Sequence, residues 1–189
     1  MPQIDFGQSI DIPGRPSQFV QLKRKGDSIT FRLAGIPTYQ GKHWISDTEW
    51  VPCPKVNEKK ECEYCEKAEL NQDEDEQRRL RAKVNFYFPI LDRTTGKAAI
   101  FQTGLQVRSA LEQYDRAGID IYKSDWQVIR NEDKNPAFYY GVLKLDSKPL
   151  SKEDSIELAK AAQLDIEKIT SSKSKSFPVP EEIPPLEEE

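Results

Sequence analysis

The sequence predicts a mainly β domain with some α: about five strands closing into a small barrel, with a long metal-binding loop between the early strands. Three observations predict it. Several short runs alternate apolar and polar residues, the two-residue period of half-buried strands. A single stretch of helical spacing separates the third run from the fourth. The one histidine and all three cysteines of the chain fall between His43 and Cys65.

Residues 1–18, with Pro2, Pro13, Gly14 and Pro16, read as a loose N-terminal arm. Lys23-Arg24-Lys25-Gly26-Asp27 makes a basic turn, more often a solvated feature than a site. Ser28 to Leu33 alternates, with Ile29, Phe31 and Leu33 on one face and Ser28, Thr30 and Arg32 on the other. That strand could run on towards Tyr39, with Pro37 marking a bend or an edge. Glu66 to Arg79 is polar and predicted helical. Arg81 to Leu91 is the strongest strand: Ala82, Val84, Phe86, Phe88 and Ile90 form an apolar face, and Arg81, Lys83, Asn85 and Tyr87 a polar one. Asp92 to Lys97 is a turn, and Ala98 to Thr103 the return strand. Leu105 to Ala117 carries the helical spacing, closed by Gly118. Trp126 to Arg130 and Ala137 to Leu145 are two further strands. Ser151 opens a helix to about Leu164, with Asp154 placed for a capping box. Five strands with one helix between the third and fourth is the element order of an OB-fold barrel. The predicted division is an OB-fold-like core at 19–150 with a zinc subdomain at about 40–80, a C-terminal helix at 151–169, and a flexible linker with an acidic tail at 170–189.

His43, Cys53, Cys62 and Cys65 make a complete Cys3His shell for one structural zinc ion. The two-residue spacing of Cys62 and Cys65 lets one tight turn aim two thiolates at one metal. Pro52 and Pro54 bracket Cys53 and hold extended backbone there. The competing readings are a redox dithiol, which lacks a thioredoxin-like setting, a disulfide framework, which wants an even number of cysteines, and unpaired buried thiols. A zinc deaminase is excluded by its missing acid/base: Ile45 stands where the catalytic glutamate belongs, and Glu61 rather than proline precedes Cys62.

Charge is unevenly spread. The chain carries a formal −4, yet its last thirteen residues hold five glutamates and no lysine or arginine. Between Arg78 and Arg116, eight basic residues face only three acidic ones. Such asymmetry points to a polyanion partner and an acidic tail. No apolar run approaches the roughly 18 residues of a membrane span, and the start lacks the plan of a signal peptide, so a cytoplasmic, reducing location is expected. A basic groove with aromatic platforms is how single-stranded nucleic acid is bound. Arg81 and Lys83 are candidates for phosphates and Tyr87 for a base, with Arg32, Tyr39, Arg93, Lys97, Tyr140 and Lys144 extending the surface. The plainer reading of Tyr87 and Tyr140 is that they cover an exposed sheet face.

The order His43, Cys53, then Cys62-Glu-Tyr-Cys65, followed by the strand Asn85-Phe-Tyr-Phe-Pro-Ile-Leu-Asp-Arg-Thr-Thr-Gly-Lys97, resembles bacteriophage single-stranded-DNA-binding proteins of the T-even type. Over roughly residues 19–150 the resemblance implies a zinc-containing OB-fold. It also implies a non-enzymatic role coating single-stranded DNA during replication, recombination and repair, in a bacterial host cytoplasm. The tail glutamates Glu181, Glu182, Glu187, Glu188 and Glu189 would then recruit replication and recombination proteins. This chain is shorter than that family and lacks its separate basic N-terminal domain. The alternative is a zinc-stabilised protein-interaction adaptor in which the basic strand is only surface.

Overall fold

A computed structural model describes residues 19–46, 49–131 and 139–166. The expected N-terminal arm, the linker and the acidic tail with its five glutamates lie outside the described residues, as does most of the 131–136 connection. The chain folds as a mixed α/β domain around one large sheet. Its strands are β1 (Phe19–Val20), β2 (Ser28–Leu33), β3 (Thr38–Trp44), β4 (Trp50–Pro52), β5 (Lys83–Asp92), β6 (Lys97–Thr103), β7 (Asp125–Arg130) and β8 (Tyr140–Leu145). Its helices are α1 (Pro54–Asn57), α2 (Glu63–Leu70), α3 (Glu74–Leu80), α4 (Leu105–Arg116) and α5 (Lys152–Ala162). Among the described residues no helix is long and apolar enough to cross a membrane.

The sheet runs β1-β6-β5-β2-β7-β8, with β3 on β5 and β4 on β3. It is open: among the described residues β6 and β8 do not pair. The expected barrel closure is therefore absent, while the mainly β character holds. The ten-residue β5 organises the sheet. One edge pairs with β6 from Phe86 to Asp92; the other pairs first with β3, through Tyr87, and then with β2, from Ile90. Pro89 falls at that change of partner, where its missing N–H costs no ladder bond, and its carbonyl accepts from Ala34 N–H at 2.9 Å. Gly35 and Pro37 break the predicted long early strand into β2 and β3, so β3 pairs with the first half of β5 and carries the histidine into a hairpin with β4.

The alternation of β5 places Phe86, Phe88 and Ile90 in the main core with Phe31, Phe101, Val107, Leu111, Trp126 and Val128, as the spacing predicts. Trp126 is fully buried and donates its indole N–H to Ile121 O at 2.9 Å. Each such side chain contributes about 1.5–3 kcal/mol by leaving water. The opposite face departs from expectation. Helix α5 lies over it at the β5–β6 hairpin: Asp154 pairs with Arg93 at 2.7 Å, and Glu157 accepts from Ala98 N–H at 3.1 Å. Ser151 caps α5 with the predicted box. Leu91, Ala98 and Ile100 are buried, and Tyr87, Ile100 and Ile166 form a second apolar cluster with Phe19 and Leu164. The predicted helix at 66–79 is two helices, split at residues 71–73, where the Asp73 carboxylate caps the backbone of α3.

Candidate metal centre and nucleic-acid interface

The centre is built on the β3–β4 hairpin. Alternation along β3 sends Tyr39, Gly41 and His43 to one face, and Gln40, Lys42 and Trp44 to the other. Helix α1 lies against the first face so closely that a Cβ on Gly41 would sit 2.5 Å from Val56 Cβ, and only glycine allows that approach. The Asn57 side chain accepts from Gly41 N–H at 2.7 Å and donates to Gly41 O at 3.1 Å. Cys53 N–H also donates to Gly41 O, at 2.9 Å. Cys53 is extended, as its flanking prolines predict, with Pro54 opening α1. Cys62 is the extended N-cap of α2, and Cys65 lies one turn further on. The Cys-x-x-Cys turn is thus a helix start, whose free N–H groups favour negative sulfur.

These elements bring His43, Cys53, Cys62 and Cys65 together, all ligand atoms lying within 4.8 Å of one another. Cys53 Sγ is 3.9 Å from Cys62 Sγ and 3.6 Å from Cys65 Sγ; His43 Nε2 is 3.3 Å from Cys62 Sγ and 3.6 Å from Cys65 Sγ. A tetrahedron with Zn–S of about 2.3 Å and Zn–N of about 2.0–2.1 Å has S–S edges of roughly 3.8 Å and S–N edges of roughly 3.6 Å. Four of the six edges therefore lie within about 0.3 Å of those a zinc-sized ion needs, and none of the six exceeds 4.8 Å. His43 Nδ1 is 2.7 Å from Leu80 O, which can only accept, so Nδ1 carries the proton and Nε2 presents its lone pair. Tyr64 stacks on the ring at 5.2 Å. Burial pushes the Cys65 thiol up to about 12, helped by the neighbouring Cys53 and Cys62 sulfurs. Burial also raises Cys62, but the backbone at Cys65, the Cys65 and Cys53 side chains and the backbone at Tyr64 outweigh it and hold that thiol below its ordinary value. Sulfurs packed this tightly all ionise only with a cation among them. Residues 43–65 can hold one metal ion, and the donor set is compatible with structural zinc.

The nine candidate nucleic-acid residues do not line one groove. Arg32 is buried in an ion network: its Nε is 2.8 Å from Asp125 Oδ1, and a terminal nitrogen donates to Lys148 O at 2.9 Å. Arg93 is bound into the same network, 3.6 Å from Asp125 and 2.7 Å from Asp154. Tyr87 is only 2 % exposed, packed edge-on to Phe19, and burial pushes its hydroxyl up to about 12. The expected exposure of these three is corrected: Asp125 and the Lys148 carbonyl enclose Arg32, Asp154 of α5 takes Arg93, and Phe19, Ile100, Leu164 and Ile166 pack around Tyr87. Arg81, Lys83, Lys97 and Lys144 are exposed, and Tyr39 is exposed beside Phe86 at 6.1 Å. Tyr140 is half-buried and lines a separate groove with Gln106 and Tyr114 on α4.

Sequence reading missed Trp44 and Trp50. They stand directly opposite each other in the β3–β4 ladder, on the face away from the metal centre, next to the Lys42–Lys83 pair. Their signal was present: two tryptophans six residues apart, Trp44 two positions from Lys42 in the same alternation. Comparison with known proteins returned no matching family model, no matching curated protein and no matching solved structure.

Proposed function

We propose that this chain is a non-enzymatic single-stranded-DNA-binding protein whose Cys3His centre holds structural zinc. One observation carries the proposal. The strands β6-β5-β2-β7-β8, with α4 between β6 and β7, follow the order of a partly open OB barrel, and the Cys3His lobe is inserted between its first and second strands, β2 and β5. In OB-folds that connection and the neighbouring strand face bind oligonucleotides. Exposed lysines and arginines of the lobe and of β5 would take phosphates, giving sequence-independent, salt-sensitive binding. The role would be that of the phage proteins the sequence resembles: coating DNA exposed in replication, recombination and repair, with the acidic tail recruiting partners.

The burial of Tyr87, Arg32 and Arg93 favours a second reading, a zinc-stabilised protein-interaction adaptor. Fluorescence anisotropy with labelled oligo-dT and a matching duplex separates the two. Preferential oligo-dT binding that weakens steeply with salt supports the first; binding to neither supports the adaptor. Metal analysis should return one zinc per chain, and Cys62→Ser should lower both zinc content and melting temperature. Full loading of the Cys62→Ser, Cys65→Ser double variant would overturn the metal assignment. Structural zinc contributes about 10–16 kcal/mol in small modules, so chelation should at least unfold the lobe.

A further inference from the structure

We infer that the outer face of the β3–β4 hairpin is a base-stacking site for single-stranded nucleic acid, with Trp44 and Trp50 as its platforms. This deepens the proposed function and rests on it. Three features of the face point to such a ligand.

The first is an aromatic pair at the surface. Of the three tryptophans, Trp126 is core, whereas Trp44 is 37 % exposed and Trp50 half-buried. Cross-strand aromatics often stabilise a hairpin by packing on each other. Here, among the described residues, neither indole stacks on another ring; Lys42 lies over one face of Trp50, which leaves the part-exposed Trp44 ring as the more open platform for a planar guest.

The second is charge. Lys42 Nζ sits 3.8 Å from the centroid of the Trp50 ring, and Lys83 stands directly opposite Lys42 on β5. Lys83 is exposed and makes no ion pair among the described residues. Arg79 reaches the same place from α3 while paired to Glu76 at 2.9 Å. Among the described residues, Glu76, paired to Arg79, and Glu49, whose carbonyl accepts from Ile45 N–H, are acidic residues near it. Cations alternating with indoles bind a phosphodiester strand through its backbone and its bases at once.

The third is a recess. Trp44, Ile45, Ser46, Arg79 and Lys83 line a cavity of about 320 Å³, at the lower end of the range for small-ligand clefts. Behind it, His43 on the opposite face of β3 ties the hairpin to the metal centre. The ion would thus hold the platform still without touching the strand.

The test uses the full-length, zinc-loaded protein and oligo-dT. Trp126 is buried, so quenchable emission comes from Trp44 and Trp50. Oligo-dT should quench that emission and shield it from acrylamide. Trp44→Ala and Trp50→Ala should each weaken oligo-dT binding about 5- to 150-fold, the range for losing one stacked base, while Trp44→Phe and Trp50→Phe recover most of it. Zinc content and far-UV circular dichroism confirm the variants' fold, and the wild-type quenching measurement does not depend on them. Tight oligo-dT binding with unchanged emission, and full affinity in the alanine variants, overturns this site but leaves the proposed function standing. Absence of oligo-dT binding by the wild type overturns both. Loss of self-association in the alanine variants at unchanged oligo-dT affinity overturns it in favour of a contact between copies of the chain.

Discussion

Gly41→Ala isolates the close approach on which the metal centre depends. The added methyl would meet Val56 Cβ at 2.5 Å and Val56 Cγ1 at 2.6 Å, well inside van der Waals contact, so α1 must move outward or β3 must bend. Overpacking of this kind costs about 1–3 kcal/mol. Moving α1 also strains the Asn57 bonds to Gly41 and the Cys53 N–H bond to Gly41 O, each contributing about 0.5–1.5 kcal/mol. Because Cys53 opens α1, its sulfur moves with the helix. Disturbing groups that orient metal ligands weakens metal binding about 10- to 100-fold, the range expected here. Competition with a chromophoric zinc chelator reads the affinity, and thermal denaturation reads the stability. Gly104→Ala, where a Cβ meets nothing within 4 Å, is the control for zinc affinity, which it should leave unchanged although alanine at the α4 N-cap lowers the melting temperature slightly. Zinc affinity and melting temperature equal to wild type in Gly41→Ala would refute the packing of α1 on β3 and the link from Gly41 to Cys53.

Tyr87→Ala should destabilise the domain by about 3–5 kcal/mol in urea, whereas Tyr87→Phe should be near neutral, since the hydroxyl meets Gln40 only at 3.5 Å. A stable Tyr87→Ala protein would restore the exposed face that alternation predicts. Asp125→Ala leaves Arg32 buried beside an empty partner position and should cost about 3–5 kcal/mol, more than the paired change Arg32→Met with Asp125→Leu; a loss under about 1 kcal/mol would mean the network is solvated. The Asp154 carboxyl is held below its ordinary 3.8, first by the Arg93 hydrogen bond and then by the Ser151 backbone. A lowered carboxylate contributes stability above its unfolded value, and that contribution is lost as pH falls through the lower folded one. Protection of α5 amides, measured as exchange relative to the unfolded chain at the same pH, should therefore fall below about pH 3.8, and Asp154→Asn should remove that step.

The metal quartet was legible from the sequence because ligand chemistry depends on residue type and short spacing. Few arrangements other than a metal site use one histidine and three cysteines within 23 residues. The β5–β6 hairpin and the capped α5 were legible for the same reason: alternation, a turn ending at Gly96 with φ of 67°, and a Ser–Asp capping box are all local signals. Residues 81–91 show where local signals stop. Their period assigned Phe86, Phe88 and Ile90 to the core, but a two-residue period says only that two faces exist, not what lies above each. Tyr87, Arg32 and Arg93 went under cover because segments distant in sequence fold over them: Phe19, Leu164 and Ile166 on Tyr87, Asp125 and Lys148 on Arg32, and Asp154 of α5 on Arg93. Likewise, the sequence held His43 and Trp44 side by side without separating their roles. Only the pairing of β3 with β4 and β5 turned one toward the sulfurs and the other toward solvent, because adjacent residues of a strand point in opposite directions and tertiary packing decides which direction is inside.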